Sequence, residues 1–186
     1  MPLPIKTERL IIRRFVPEDL DDEMEYMSDP EVARYEYWEP YTREDAAREA
    51  DALSEMEPGT EGGWLELAVE LKSERKVIGN IAIKVLSRQH RFGEAGWTLN
   101  RRYQGHGFAT EAARAILDFG FDELDLYWVI AFCDVRNAPS YRLMERLGMR
   151  RLSEFQRNKF AKGKWLDEVV YSITVDEWRE GGGGSP

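Results

Sequence analysis

The sequence predicts an α/β (α+β) protein with a mixed central sheet of about seven strands and helices on both faces. Three observations favour this class. The apolar residues recur at the period of two that is typical of strands in some segments, and at the helical period in others. One strand–helix–strand succession implies a right-handed parallel crossover. The chain has 186 residues, of which 42% are hydrophobic, so it can form one substantial core.

The N-terminal part is expected to begin with one strand and to continue with helices. Residues 10–15 alternate as in a strand, and Pro17 begins an acidic helix. A short helix is expected after Ser28, and a further helix from Thr42, its N-cap, to about Met56. The predicted order of the main elements over the whole chain is β-α-α-β-β-β-α-β-α-β-β.

Three strands are expected next, because the apolar period becomes two. Alternate residues share one face of each of the first two strands: Leu65, Leu67, Val69 and Leu71 in one, and Val77, Ile81, Ile83 and Val85 in the other. A Glu-Arg pair between them suits a hairpin turn. The third strand covers Phe92 to Leu99.

The C-terminal half supplies the crossover. Apolar residues from Ala109 to Phe121 lie at helical spacing, and Tyr127–Cys133 is apolar throughout, as in a strand covered on both faces. A second helix starts near Asn137 and ends by Gly148, a C′ glycine. Two strands joined around Lys162-Gly163 close the fold.

Composition excludes several classes of protein. The single cysteine, Cys133, excludes an internal disulfide and argues against a Cys-rich site, and we expect no metal. The net charge of −9 disfavours nucleic-acid binding. The longest apolar run, Leu126–Cys133, is far shorter than the ~18 residues that span a bilayer. No signal segment opens the chain. We therefore expect a cytoplasmic protein of one domain, residues 1–180, with a flexible glycine-rich tail, residues 181–186.

The segment RYQGHG, Arg102 to Gly107, is the most informative motif. Glycines let the backbone approach a ligand closely, and the helix that follows offers free N–H groups and the positive end of its dipole. Positive charge surrounds it, from Arg101, Arg102, His106 and Arg114. The motif suits a pyrophosphate; a strand-to-helix turn with two conformational glycines is the alternative. Phe108 after Gly107 excludes a Walker loop, and Thr110 excludes a dinucleotide fingerprint.

The same motif resembles the Arg/Gln-x-x-Gly-x-Gly/Ala signature of the GCN5-related N-acetyltransferases, the GNAT superfamily. The segments EAGWTL before it, GFATEA after it and RNAPSYRLMERLGM later in the chain resemble the RimJ/RimL branch. The resemblance covers about Lys6 to Val175, and the predicted element order matches the GNAT fold. Arg101 is a departure, because the branch usually has proline there.

The resemblance implies an acetyl-CoA site. Backbone N–H groups from Gln104 to Ala109 would bind the pyrophosphate, and the pantetheine arm would lie in a slot between the splayed strands Phe92–Leu99 and Tyr127–Cys133. An N–H near Leu99 would polarise the thioester carbonyl. The implied cofactor-binding residues are Trp97, Thr98, Leu99, Arg101, Arg102, Gln104, Gly105, His106, Gly107, Phe108, Ala109, Thr110, Asn137 and Ser140.

Catalysis would need a base for the amine and an acid for the leaving thiolate. Glu94 is the candidate base, because strand alternation puts it on one face with Gly96 and Thr98; a solvated or paired glutamate is the alternative. Ser140 is the candidate acid, against the alternative of a helix cap. Tyr141 is a second candidate acid. Some relatives have a tyrosine three residues before the Leu-Gly pair, where this chain has Met144, so their tyrosine-acid assignment does not transfer.

The acceptor would lie against RYEYWEPY, Arg34 to Tyr41. Tyr35, Tyr37 and Trp38 would form walls, and Glu36 or Glu39 would attract an amine. The alternative is a loop that aromatic residues anchor to the core. Asp167 either faces the acceptor or pairs with Lys164.

The sequence therefore predicts an acetyl-CoA-dependent N-acetyltransferase that acts on a primary amine by direct attack in a ternary complex. The acceptor is a protein N-terminus or a small amine such as an amino acid, a polyamine or an aminoglycoside. An acyl-CoA-binding regulatory domain without turnover and a transferase using another acyl-CoA are the alternatives. We expect no nucleic-acid or membrane partner, and a homodimer stays open.

Overall fold

Eight strands form one mixed sheet in the computed structural model, which describes residues 3–46, 48 and 56–182. The strands are β1 (Ile5–Lys6), β2 (Leu10–Arg13), β3 (Trp64–Leu71), β4 (Lys76–Ser87), β5 (Phe92–Leu99), β6 (Trp128–Asp134), β7 (Arg150–Ala161) and β8 (Lys164–Thr174). Their order in the sheet is β1-β2-β3-β4-β5-β6-β8-β7. The mixed α/β class is confirmed. The strand beyond the expected seven is the two-residue β1.

Five helices whose two ends are both described accompany the sheet: α1 (Leu20–Met27), α2 (Pro30–Ala33), α3 (Phe108–Asp122), α4 (Ala138–Arg146) and α5 (Val175–Glu180). Short 3₁₀ turns cover Pro17–Asp19 and Arg101–Tyr103. None of these helices is long and apolar enough to cross a membrane.

Two of the expected segments are only partly described. The helix expected from Thr42 to about Met56 is helical at residues 43–46 and 48, whereas residues 47 and 49–55 lie outside the described residues. Of the expected tail, residues 183–186 lie outside them as well. Helix α5 is absent from the predicted elements, although Thr174 and Glu177 form a capping box at its start.

Helices lie against both faces of the sheet. On one face, α3 packs on the large core through residues such as Ile116. On the other face, Tyr26 and Met27 of α1 form a smaller cluster with Ala68 and Val77. The prediction that Val77 shares a face with Ile81 is wrong. A register shift between β3 and β4 pairs Val77 with Glu70 but Asn80 with Ala68, so the intervening bulge turns Val77 toward α1.

The strands β5 and β6 diverge partway along their length. They pair in parallel at Phe92–Trp128, Gly93–Val129 and Glu94–Ile130. Beyond Ile130, β6 continues to pair with β8 as far as Asp134. Within the described residues, the edge of β5 from residue 95 to 99 therefore has no strand beside it where β6 would otherwise lie. The gap is the slot that the sequence analysis expected.

Candidate active site

The loop before α3 presents a run of free backbone N–H groups. Gly105 and Gly107 have φ of +81° and +83°, which is the left-handed conformation that glycine adopts without strain. The first bond of α3 runs from the Glu111 N–H to the Gly107 carbonyl at 3.0 Å. Among the described residues, no acceptor pairs with the N–H groups of residues 105–110. Six successive unpaired donors at the start of a 15-residue helix form a cradle for an anion.

A cavity of about 810 Å³, called here the first cavity, extends from this cradle to the gap between β5 and α4. Four arginine and four glutamate side chains line it: Arg9, Arg101, Arg114, Arg146, Glu8, Glu31, Glu36 and Glu111. The predicted cofactor-binding residues that line it are Trp97, Thr98, Leu99, Arg101, Gln104, Gly105, Gly107, Phe108, Ala109, Thr110, Asn137 and Ser140.

Two residues of the predicted cofactor set do not line either cavity. The Arg102 side chain is exposed and lies 3.9 Å from a Glu25 carboxylate oxygen. The His106 ring stacks on Phe108, and only its backbone belongs to the cradle. Arg101 therefore lines the first cavity and Arg102 does not; the Arg101 guanidinium lies 3.3 Å from an Asp29 carboxylate oxygen.

Arg9 supports the cradle from a distant part of the chain. Its Nη1 donates to the His106 carbonyl at 2.9 Å, and its Nε donates to Glu111 at 2.7 Å. Its guanidinium lies 4.5 Å from the centre of the Phe108 ring. Burial opposes ionisation of Glu111, but hydrogen bonds from Thr7 and Arg9 hold its pKa below the usual value. Sequence reasoning missed Arg9, because nothing near residue 9 indicates a partner about 100 positions away.

The start of α4 closes the far side of the gap. The Asn137 carboxamide oxygen accepts from the Ser140 N–H at 3.3 Å, so Asn137 caps the helix. The alternative reading of Ser140 as the cap is wrong. Its hydroxyl oxygen instead accepts a 3.2 Å hydrogen bond from Trp97 Nε1. Tyr141 packs against the core and lines neither cavity. Burial raises the pKa of the neighbouring Cys133 thiol to about 11, which keeps it protonated.

A second cavity of about 380 Å³ opens on the sheet face that carries Glu94, Gly96 and Thr98. Of the predicted acceptor residues, Tyr35, Tyr37 and Trp38 line it. Asp167 lines neither cavity; its carboxylate accepts from the Arg157 N–H at 2.8 Å. Charged and polar lining residues that sequence reasoning missed are Glu66, Asn80, Lys84 and Lys159. Strand alternation could have indicated the first three, because they share the face of Glu94.

Glu94 lies among positive charges in this second cavity. Burial raises its pKa, and the ammonium groups of Lys84 and Lys159 partly offset that effect. Lys84 is the cross-strand neighbour of Glu94, and its ammonium lies 5.5 Å from the centre of the Trp64 ring. The Glu168 carboxylate also raises the pKa of Glu94, and a half-buried carboxylate of this kind can bind an ammonium group or take up a proton.

A buried carboxylate, Glu168, holds the loop of residues 34–41 in place. Its side chain is 3% exposed, and its two oxygens accept hydrogen bonds from the Tyr37 hydroxyl and from Asn158 Nδ2. Burial, together with this hydrogen bond, raises the pKa of Tyr37 well above its usual value. The loop after α2 is therefore fixed to the hairpin of β7 and β8.

The two cavities meet at six residues that line both of them: Tyr35, Glu36, Trp97, Thr98, Asn137 and Ser140. Glu36 is the acidic residue of this set. Burial raises its pKa to about 7, although the Lys162 ammonium acts in the opposite direction. The junction thus brings together a hydroxyl, an indole N–H and a carboxyl that can take up or release a proton near neutral pH.

Among the described residues, no group of three or more His, Cys, Asp or Glu side chains could hold a metal ion.

Comparison with known proteins agrees with this geometry. The chain matches the family described as Acetyltransferase (GNAT) domain over residues 9–150. It is 38% identical to the uncharacterized N-acetyltransferase YnaD of Bacillus subtilis, over 94% of this chain and 98% of the relative. An acetyltransferase of the GNAT family from Bacillus anthracis has a similar solved structure. Its TM-score is 0.82 at 35% identity, covering 92% of this chain and 98% of that one.

More distant relatives have named acceptors. Spermidine N(1)-acetyltransferase of Escherichia coli is 26% identical over 87% of this chain and 84% of its own. A putative ribosomal N-acetyltransferase of Bacillus subtilis, YdaF, is 29% identical over 54% of this chain and 55% of its own. The resemblance to the RimJ/RimL branch is confirmed by these matches.

Proposed function

The chain belongs to the GNAT acetyltransferase family and is an N-acetyltransferase, and on this premise we propose that it moves the acetyl group of acetyl-CoA to a primary amine by direct attack in a ternary complex. Members of the family use acetyl-CoA and an amine acceptor. The observation that carries the proposal is the meeting of two separate cavities at Trp97, Thr98 and Ser140. Two reactants can approach that junction from opposite sides, and positioning of this kind supplies up to about 7–11 kcal/mol in ideal cases.

The first cavity fits the cofactor. The unpaired N–H groups of residues 105–110 would hold the diphosphate, and Arg9 and Arg101 lie beside it, each paired with a carboxylate, Glu111 and Asp29 respectively. The open edge of β5 at Trp97–Leu99 would take the pantetheine arm as an added strand, and Asn137 and Ser140 would lie near the sulfur. When bound, acetyl-CoA supplies an activated acetyl thioester.

The second cavity fits a cationic amine. Glu36, Glu66 and Glu94 contribute carboxylates and Tyr35, Tyr37 and Trp38 contribute aromatic faces, which attract ammonium groups. A carboxylate then takes a proton from the amine; the sequence predicts Glu94 for this role. Ser140, which is held by Trp97, donates a proton to the leaving thiolate.

The acceptor class follows from the same cavity. We propose a small amine such as a polyamine, or a protein N-terminus, because the E. coli relative is named for spermidine and YdaF for a ribosomal substrate. We also keep as proposals that residues 1–180 form one catalytic domain and that the protein acts in the cytoplasm; a homodimer stays open.

Release of free thiol from acetyl-CoA tests the function. The purified chain is incubated with spermidine, propylamine, lysine, kanamycin and peptides with N-terminal alanine or serine, and mass spectrometry identifies the product. We expect at least one amine to raise thiol release above hydrolysis without amine, and succinyl-CoA to be a poorer donor. Binding of acetyl-CoA with no acceleration by any amine would contradict the proposal and favour a regulatory domain without turnover.

A further inference from the structure

We propose that Glu36 is the proton acceptor of the transfer, and that Glu94 serves to attract and orient the amine. This inference rests on the proposed function and assigns one of its steps to a residue. From the sequence alone, Glu36 is expected only to attract the amine of the acceptor.

Position distinguishes the two carboxylates. Glu36 lines both cavities, whereas Glu94 lines only the second. Glu94 lies four positions before Thr98 on β5, which corresponds to about 13 Å between their backbones at ~3.3 Å per residue. Direct proton transfer needs a heavy-atom separation of roughly 2.6–3.2 Å. An amine nitrogen that attacks a thioester beside Trp97 and Ser140 is therefore closer to Glu36, which lines the junction, than to Glu94.

The Glu36 carboxylate is free to take a proton. No donor among the described residues forms a hydrogen bond with it. Its backbone N–H donates to the Ala33 carbonyl at 3.0 Å, and the same carbonyl accepts from Lys162 Nζ at 2.6 Å. The Lys162 ammonium is thus held near Glu36 by a backbone oxygen and does not form an ion pair with the carboxylate.

The protonation state of Glu36 suits a base at neutral pH. Burial raises its pKa to about 7, so the carboxyl is half ionised near that pH. The ionisable groups around it come from five parts of the chain: Lys162 in the turn between β7 and β8, Lys159 on β7, Cys133 on β6, Glu94 on β5, and Tyr35 and Tyr37 in its own loop. Lys162 lowers the pKa of Glu36 and burial outweighs it.

The proton balance of the step is complete. The amine nitrogen forms a bond to the thioester carbonyl carbon, and its proton passes to the Glu36 carboxylate. The carbon–sulfur bond then breaks, and the thiolate takes the Ser140 hydroxyl proton. Solvent returns a proton to Ser140 and removes one from Glu36. Acetylated amine and free thiol are the products, and no further reactant is needed.

Rate profiles from pH 5.5 to 9.5 test this assignment. The variants are Glu36→Gln and Glu94→Gln, with Glu44→Gln as the matched control, because Glu44 lies eight residues further along the chain, is exposed and lines neither cavity. Each variant is first titrated with acetyl-CoA to show that it folds and binds the cofactor. Then kcat and KM are measured with the panel amine of highest kcat/KM.

We expect kcat/KM of the wild type to rise with pH until an apparent pKa near 7 and then to level off; this rising part of the profile is called the limb. Glu36→Gln should lose that limb and about 10²-fold in kcat at pH 7. Its deficit should shrink toward pH 9.5, where more of the amine is already neutral. Glu94→Gln should keep the limb and raise the acceptor KM, and Glu44→Gln should match the wild type.

Two results would overturn the assignment. One is a Glu36→Gln profile that keeps the limb with kcat close to that of the wild type; the other is loss of the limb in Glu94→Gln, which would make Glu94 the base. If no panel amine accelerates thiol release in the wild type, the proposed function fails and this inference with it.

Infrared difference titration of wild type against Glu36→Gln gives an independent readout. We expect the Glu36 carboxyl to titrate with a midpoint near pH 7, and the midpoint of an ordinary glutamate would contradict the proposal. If Glu36→Gln does not fold, Glu36→Asp replaces it, with the limb kept and kcat lowered.

Discussion

Trp97 Nε1 donates a 3.2 Å hydrogen bond to Ser140 Oγ across the gap where β5 and β6 diverge. The bond joins the open edge of β5 to the first turn of α4 at the point where the two cavities meet. The serine oxygen accepts from the indole, and its hydroxyl can donate either to Cys133 Sγ or to a leaving thiolate. This arrangement supports Ser140 as the acid that protonates the leaving thiolate.

Ser140→Ala should lower kcat by about 10²-fold, because the thiolate loses its proton donor. Trp97→Phe is the matched variant, since it removes the indole donor but leaves the hydroxyl. It should lower kcat by less than about tenfold, the value of one orienting hydrogen bond. Steady-state kinetics with parallel acetyl-CoA titrations check both. Equal kcat in Ser140→Ala and wild type would assign the proton donor elsewhere.

Gly105→Ala should weaken acetyl-CoA binding by tenfold or more, or about 1.4 kcal/mol, because a methyl group and a strained backbone would disturb the row of free amides. Gly62→Ala is a close control: both glycines have φ of +81°, and in both an added Cβ meets no atom within 4 Å. Gly62 lines neither cavity. Calorimetry should therefore show weakened binding in Gly105→Ala alone, and equal affinities would contradict the cradle.

Glu36→Gln should stabilise the fold at high pH. The pKa of Glu36 is about 7 in the folded protein and near 4.5 when unfolded, so the folded state binds more protons between these values and stability falls as pH rises. The variant should have the free energy of unfolding of the wild type near pH 4.5 and exceed it by up to about 3 kcal/mol at pH 8. Urea unfolding at both pH values measures this difference. Glu39→Gln, at an exposed position, should change little at either pH.

Tyr37→Phe should lower the free energy of unfolding by about 1–3 kcal/mol, because the buried Glu168 carboxylate loses a hydrogen-bond donor. Tyr127→Phe is the matched control. Both tyrosines are about 40% exposed and donate to a carboxylate, but the partner of Tyr127, Asp176, is exposed. Loss of the hydrogen bond from Tyr127 to Asp176 should lower the free energy of unfolding by less than about 1 kcal/mol. If urea unfolding shows equal losses of unfolding free energy in Tyr37→Phe and Tyr127→Phe, burial of Glu168 does not strengthen the hydrogen bond from Tyr37.

Features that depend on neighbouring residues could be predicted from the sequence. The glycines before α3 and the helix that follows form an anion cradle through local backbone geometry, and the parallel crossover follows from the order of the elements. The capping box of Thr174 and Glu177 is also a local sequence pattern, so α5 could have been predicted. Val77 was assigned to the wrong face because alternation assumes an unbroken strand, and a bulge breaks it.

Features that depend on distant contacts could not be predicted. Arg9 reaches the cradle only because β2 lies near the start of α3 in the folded chain. The burial of Glu36 depends on the packing of its loop against the rest of the site, and so its pKa has no local signal. Lys159 enters the second cavity through the hairpin of β7 and β8.

Calorimetric titration with acetyl-CoA and, in parallel, with S-acetylpantetheine tests the central claim most directly. The second compound carries the thioester and the arm but lacks the diphosphate and the nucleotide. If the amides of residues 105–110 hold the diphosphate, acetyl-CoA should bind with micromolar affinity and S-acetylpantetheine at least about 10²-fold more weakly. Absence of acetyl-CoA binding, or equal affinities for the two compounds, would contradict the account.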